Sequence, residues 1–193
     1  MLAAEFTRLR RRGLWLESLS MAWTMAVAAV AIAAGVAASS IALIGLGLES
    51  VIELVAAAIV IWQLGRGAAR ERRAMRLIGA TFLASAVYLA AESIRELAGD
   101  DHSGHSAAGL AVAVAALLIM PLLAVGKRRT GRALDSRTLL ADAVETTISA
   151  AAAAAALAGV GLDTWLGWWW AVPAAGLVIA ALACWESIHI WRH

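Results

Sequence analysis

Six stretches of this chain are each long and apolar enough to cross a bilayer, which leaves few other folds open. They cover residues 14–36, 39–63, 77–97, 109–126, 138–162 and 168–190. Crossing the hydrocarbon core takes roughly 17–25 apolar residues in a helix rising about 1.5 Å per residue. Inside lipid no water is available to the backbone, so each segment must pair its own N–H and C=O groups, and a helix does so. Of 193 residues, 62% are hydrophobic, too many to hide in one soluble core of that size. The expected fold is all-α, a polytopic membrane protein with a six-transmembrane-helix bundle forming a single transmembrane domain over 1–193. Almost nothing joins the first two segments, so they are expected to form a tight antiparallel hairpin. Pro121 lies within the fourth segment and could kink it, and Pro173 lies early in the sixth.

The connecting segments alternate in charge. Arg8, Arg10, Arg11 and Arg12 precede the first apolar segment. GRGAARERRAMR follows the second, KRRTGRALDSR follows the fourth, and the chain ends in WRH. The segments between carry no Lys or Arg: AGDDHSGHSAA after the third and DTWLG after the fifth. The positive-inside rule then places both termini in the cytoplasm, and the cell's inner (plasma) membrane is the expected location. The basic-then-apolar N-terminus has the order of a signal peptide, but the apolar run is too long, so an uncleaved first helix is expected. No soluble domain is expected after the sixth segment. Trp165, Trp168, Trp169 and Trp170 read as an aromatic belt at the outer interface, with Trp15 and Trp62 at the inner one. Small residues, including Gly45, Gly47 and the run from 149 to 159, allow close helix approach.

A net charge of +2 gives no electrostatic footprint for nucleic acid. The single cysteine, Cys184, can form neither an internal disulfide nor a thiolate metal cluster. GLGL lacks the strand and third glycine of a dinucleotide motif.

Eight carboxylates fall within the apolar segments: Glu17, Glu49, Glu53, Glu92, Glu96, Asp142, Glu145 and Glu186. An ionised group in hydrocarbon costs several kcal/mol, so each needs a reason. Glu17, Glu92 and Glu186 lie near segment ends, and Glu92 beside Arg95 reads as a local ion pair. Glu49 and Glu53 are four residues apart and share one helix face, and no Lys or Arg shares their segment. Asp142, Glu145 and Ser149 likewise share a face, although Asp142 lies near Arg137 and the inner surface. From helix rise alone, Glu49 and Ser149 lie within roughly 3 Å of the midplane and Glu53 a similar distance inward. Glu145 lies about 7 Å inward and Asp142 about 12 Å. If the second and fifth segments pack together, four carboxylates and a hydroxyl converge with few cationic partners. Like charges so placed need protons, a metal ion, or both. The candidate metal-binding residues are therefore Glu49, Glu53, Asp142, Glu145 and Ser149, and proton-coupled antiport follows if metal and protons displace each other. The segment Asp100, Asp101, His102, His105 offers a second, weaker cation-collecting motif, read mainly as a solvated turn. His189 and His193 read as interfacial residues.

The stretches SIALIGLGLESVIELVAAAIVIWQL, MPLLAVGKRRTGRALDSRTLLADAVETTISA and GWWWAVPAAGLVIAALACWE resemble the cation diffusion facilitator family. The resemblance is to a short, transmembrane-only branch lacking the C-terminal cytoplasmic domain. It implies a six-helix homodimeric exporter of divalent metal, usually proton-driven, whose second segment supplies two acidic ligands at the positions of Glu49 and Glu53. The family's fifth segment often supplies a His and an Asp four apart, and the matching positions here are Glu145 and Ser149. Without imidazole, the implied site is all oxygen, which suits Mn²⁺ or Mg²⁺ better than Zn²⁺, although carboxylates also take Zn²⁺ and Fe²⁺. The first segment, with Trp23, Thr24 and Val27, shows no acidic residue at depth.

The expected function is divalent cation efflux, with the lipid bilayer, the cation and protons as partners and no prosthetic group. The alternative is a non-transporting metal-binding membrane scaffold or regulator of the same fold. A membrane-embedded enzyme fits less well, because no nucleophile–base pair and no mid-depth histidine are present.

Overall fold

A computed structural model describes residues 3–37, 41–66, 70–99 and 107–192. These residues form six helices and no strand: α1 (Ala3–Ala37), α2 (Ile41–Arg66), α3 (Glu71–Ala98), α4 (Ala107–Leu134), α5 (Arg137–Leu166) and α6 (Ala171–Arg192). All six are long and apolar enough to cross a membrane. The expected all-helical, multi-pass architecture is the one found. The 100–106 segment, with its Asp and His residues, and His193 lie outside the described residues.

The helices are longer than the apolar segments. Beyond the hydrocarbon nothing in the sequence breaks them, and arginine is a good helix former. Arg8 to Arg12 therefore lie within α1, and most of the expected fourth connection belongs to α4. That connection shrinks to Asp135 and Ser136. Asp135 adopts φ 52°, left-handed backbone that Asp tolerates better than most residues. The Ser136 hydroxyl accepts from the Leu139 N–H and caps α5. At the far end of α5, Gly167 at φ 68° donates its N–H to the Asp163 and Leu162 carbonyls, a left-handed stop that glycine takes without a Cβ clash. α4 continues as a helix through Pro121.

Side-chain contacts gather alternate helix ends at one end of the bundle. Arg10 of α1 donates from Nε to the Leu64 carbonyl (2.6 Å) and from Nη2 to the Gly65 carbonyl (2.9 Å), satisfying open carbonyls at the end of α2. The Arg137 N–H at the start of α5 donates to Glu71 Oε1 at the start of α3 (2.8 Å). Trp191 near the end of α6 donates to the Arg76 carbonyl (3.2 Å). This basic end holds α1, α3 and α5 beginnings and α2, α4 and α6 endings.

The largest packing faces join α1 with α2, α3 with α6, and α4 with α5. Small residues set their closeness. A Cβ on Gly79 would lie 2.3 Å from Trp191 Nε1, and one on Gly47 would lie 2.4 Å from Ile32 Cγ1. One apolar core, containing Val60, Leu64, Ile78, Phe82 and Leu139, fills the basic half of the bundle. A smaller one, Met120, Leu123 and Ala150, lies between α4 and α5. Large apolar side chains such as Val30, Leu118, Leu122 and Val178 point outward, as a lipid-facing surface requires. Trp165, Trp168, Trp169 and Trp170 are exposed at the end opposite the basic one, and Trp168 stacks on Trp170 at 5.6 Å between centroids. That placement fits an interfacial belt.

Candidate functional site

Most of the acidic side chains inside the bundle, with their polar neighbours, form two adjoining groups. The first lines a partly open cavity of about 320 Å³ between halves of all six helices remote from the basic end. Glu49, Ser50 and Glu53 reach it from α2, Trp23 and Thr24 from α1, and Ser149 from α5. The four-residue spacing read from the sequence does put Glu49 and Glu53 on one face. Glu92 and Glu96 of α3 line its far rim. Glu92 is held there by Arg95, with Nη2 to Oε1 at 2.5 Å and Nε to Oε2 at 3.2 Å, the local pair expected from the sequence.

Glu53 lies where α2 meets α5. Ser149 donates its hydroxyl to Glu53 Oε1. The same hydroxyl lies 3.3 Å from the Glu145 carbonyl one turn earlier. Along with Thr24 and Met120, Glu53 also lines a second, much smaller pocket of about 10 Å³, whose other walls include Glu145, Asp142, Lys127, Ser20 and Thr146. Glu53 is therefore the carboxylate shared by both spaces. Glu145 is 6% exposed, and neither of its carboxylate oxygens has a hydrogen-bond partner. A buried carboxylate left so is costly and calls for a proton or a cation.

The second group centres on Lys127 of α4, which is 1% exposed. Its ammonium donates to Asp142 Oδ2, to Ser20 Oγ (3.0 Å) and to Thr146 Oγ1 (3.2 Å). Glu17 Oε2 of α1 lies 3.2 Å away. Helix α4 extends past the apolar segment and carries Lys127 inward, while neighbouring Arg128 and Arg129 remain exposed.

Two expectations are corrected here. Lys127, read as part of the connection after the fourth segment, belongs to the core within α4 and gives the acidic interior a cationic partner. The first helix does carry an acidic residue inside the bundle, because Glu17 is fully buried and not at an exposed helix end. Of the five candidate residues, Glu49, Glu53 and Ser149 share the larger cavity, and Glu53, Asp142 and Glu145 share the smaller. No one space holds all five, and Asp142 is already paired with Lys127. Among the described residues, no three His, Cys, Asp or Glu side chains form a ready-made metal cluster.

The sequence reading missed Glu17, Ser20, Lys127 and Thr146. A signal was present: Glu17, Ser20 and Thr24 recur at one-face spacing on α1. Lys127 is also the single lysine among the chain's 16 Lys and Arg residues.

An all-helical membrane bundle with buried carboxylates on two facing helices defines the class, a polytopic membrane protein built around a polar interior. Its family follows from comparison: residues 67–192 match the cation efflux transmembrane domain, and the chain belongs to that family. The resemblance to cation diffusion facilitators read from the sequence is thereby borne out. The matched segment covers α3 to α6 and not the α1–α2 pair that carries Glu49 and Glu53. The chain is also similar to Transmembrane protein 163 of Xenopus laevis, at 28% identity over 144 residues, covering 72% of this chain and 51% of the relative. The chain thus spans about half the length of that curated relative.

Proposed function

We propose that this protein is a transporter that moves a divalent metal cation out of the cell in exchange for protons. The observation that carries the proposal is the Glu53–Ser149 contact between α2 and α5, beside the unpartnered carboxylate of Glu145 in a shared pocket. Glu49 and Glu53 collect the ion in the larger cavity, and Glu53, Ser149 and Glu145 hold it at the neck. Carboxylates this close cannot all remain ionised without a cation between them. A metal ion entering therefore releases protons, and returning protons release the metal. Membership of the cation efflux family supports a transport role over an enzymatic one.

Every donor in the proposed set is oxygen. Such a set favours hard cations such as Mn²⁺, takes Fe²⁺ and Zn²⁺ less selectively, and needs no prosthetic group. By the positive-inside rule the basic end faces the cytoplasm, so the larger cavity faces outward. The full assignment is a single transmembrane domain over 1–193, in the inner (plasma) membrane, working as a homodimer through helix surfaces within the lipid bilayer.

Calorimetric titration of the purified protein with Mn²⁺, Zn²⁺, Fe²⁺ and Co²⁺ tests the site. Wild type should bind, and E49Q and E145Q should each weaken binding at least tenfold. Equal affinity in all three proteins would remove the site. Binding without vesicle flux would favour the non-transporting scaffold or regulator instead.

A further inference from the structure

The Lys127 cluster is more than an ion pair. All three ammonium protons are placed, on Asp142, Ser20 and Thr146, which uses the donor capacity of the group completely. Glu17 Oε2 faces the same nitrogen at 3.2 Å, yet neither Glu17 oxygen has a hydrogen-bond partner. Two carboxyl groups thus face one ammonium, and that of Glu17 is the one left without a hydrogen-bond partner. The nitrogen sits in a shell of carboxylate and hydroxyl oxygens contributed by α1 and α5, while its own tether comes from α4. That is the shell a hard cation takes, and the ammonium stands in for one.

The choice of residue fits this role. Every other cation in the chain is arginine, and the one lysine is the one enclosed here. A planar guanidinium holds carboxylates bidentately, whereas an ammonium is a compact point charge on a flexible stem that can withdraw.

Position gives the cluster its consequence. The pocket between Lys127 and Glu53 measures about 10 Å³, room for no more than about one water molecule. Toward the basic end, Gly13 is enclosed by Leu64, Leu139 and Thr130. A cation at Glu53 therefore meets a filled site, and beyond it a closed layer.

We propose that Glu17, Asp142, Ser20 and Thr146 form a second cation site, occupied at rest by the tethered ammonium of Lys127. The transported divalent cation travels between Glu53 and the basic end of the bundle by displacing that ammonium. The inference rests on the reading of Glu53 and Glu145 as the transport site. A divalent ion arriving there repels the ammonium, and the spare carboxylate of Glu17 receives the ion as Lys127 swings away.

Because the chain has one lysine, labelling lysine with ¹⁵N at Nζ gives one side-chain signal, read in the intact protein in detergent. Diamagnetic Zn²⁺ is the probe. Saturating Zn²⁺ should shift or broaden the wild-type signal. K127M should bind one more Zn²⁺ per chain than wild type, and adding E17Q to K127M should abolish that extra ion. A wild-type signal unmoved while Zn²⁺ binds at saturation overturns the proposal, whether or not K127M folds. Failure of wild type to bind Zn²⁺ at all overturns both this proposal and the transport site. Loss of ordinary binding in E145Q with no extra ion in K127M overturns this proposal alone.

Discussion

The Ser149 hydroxyl of α5 is donated to the Glu53 carboxylate of α2, so a polar contact joins the two helices that carry most of the acidic interior. Helix–helix contacts inside lipid gain nothing from hydrophobic burial, and a hydrogen bond between facing side chains orients the pair. The contact sets the position of the only carboxylate among the described residues that lines both internal spaces.

Removing the hydroxyl should loosen that position without removing any charge. S149A should lower metal affinity about fivefold, from a contact of roughly 1 kcal/mol in a membrane setting. Titration of S149A against wild type measures the difference. An unchanged affinity would mean that Ser149 orients nothing.

Lys127 joins α1, α4 and α5 through one nitrogen. Breaking a buried ion pair by deleting one partner leaves an uncompensated charge and costs about 3–5 kcal/mol. K127M should therefore unfold at a clearly lower temperature in detergent. Adding D142N removes one stranded charge and should recover part of the loss. Absence of recovery would show that Asp142 and Lys127 are not energetically paired.

Close packing of α3 on α6 depends on Gly79. A Cβ there would meet the Trp191 ring, with 2.3 Å to Nε1, and the Gly79 carbonyl accepts the Ser187 hydroxyl at 2.7 Å. G79A should destabilise the bundle by about 1–3 kcal/mol, the usual cost of overpacking. Thermal unfolding followed by size-exclusion chromatography reads the effect. Gly65, where an added Cβ meets nothing within 4 Å, supplies the control substitution, G65A.

The start of α5 rests on its cap. Ser136 accepts from the Leu139 N–H, and Ser136 and Thr138 share a hydrogen bond of 3.0 Å. Thr138 also contacts Gln63 Oε1 of α2 at 2.8 Å. S136A should cost about 1 kcal/mol, a typical N-cap loss, visible as a small drop in unfolding temperature.

The spans were legible in the sequence because lipid imposes one rule, long apolar runs, on every crossing segment. The shared face of Glu49 and Glu53 was legible because helical spacing alone determines it. Depth put Glu49, Glu53 and Ser149 at similar levels once two spans were assumed to pack, but did not single out the contact between Glu53 and Ser149. Lys127 was not legible in the same way. In the linear sequence it opens a basic run, KRRTGR, and hydropathy assigns the whole run to a connection. Only the three-dimensional register of α4 separates Lys127, turned toward α1 and α5, from Arg128 and Arg129, turned outward. Glu17 was misjudged for the same reason. Its distance from the segment end says nothing of the partner that waits on another helix, and α1 begins well before the apolar run does.

Flux through Glu53 tests the central claim most directly. Proteoliposomes with an imposed pH gradient and external Mn²⁺ or Zn²⁺ are read with an internal metal-sensitive dye. Wild type should accumulate metal only when the gradient is present, and E53Q, folded and inserted to the same extent, should accumulate none above protein-free vesicles. Wild-type flux in E53Q would contradict the claim that the cation crosses at this carboxylate.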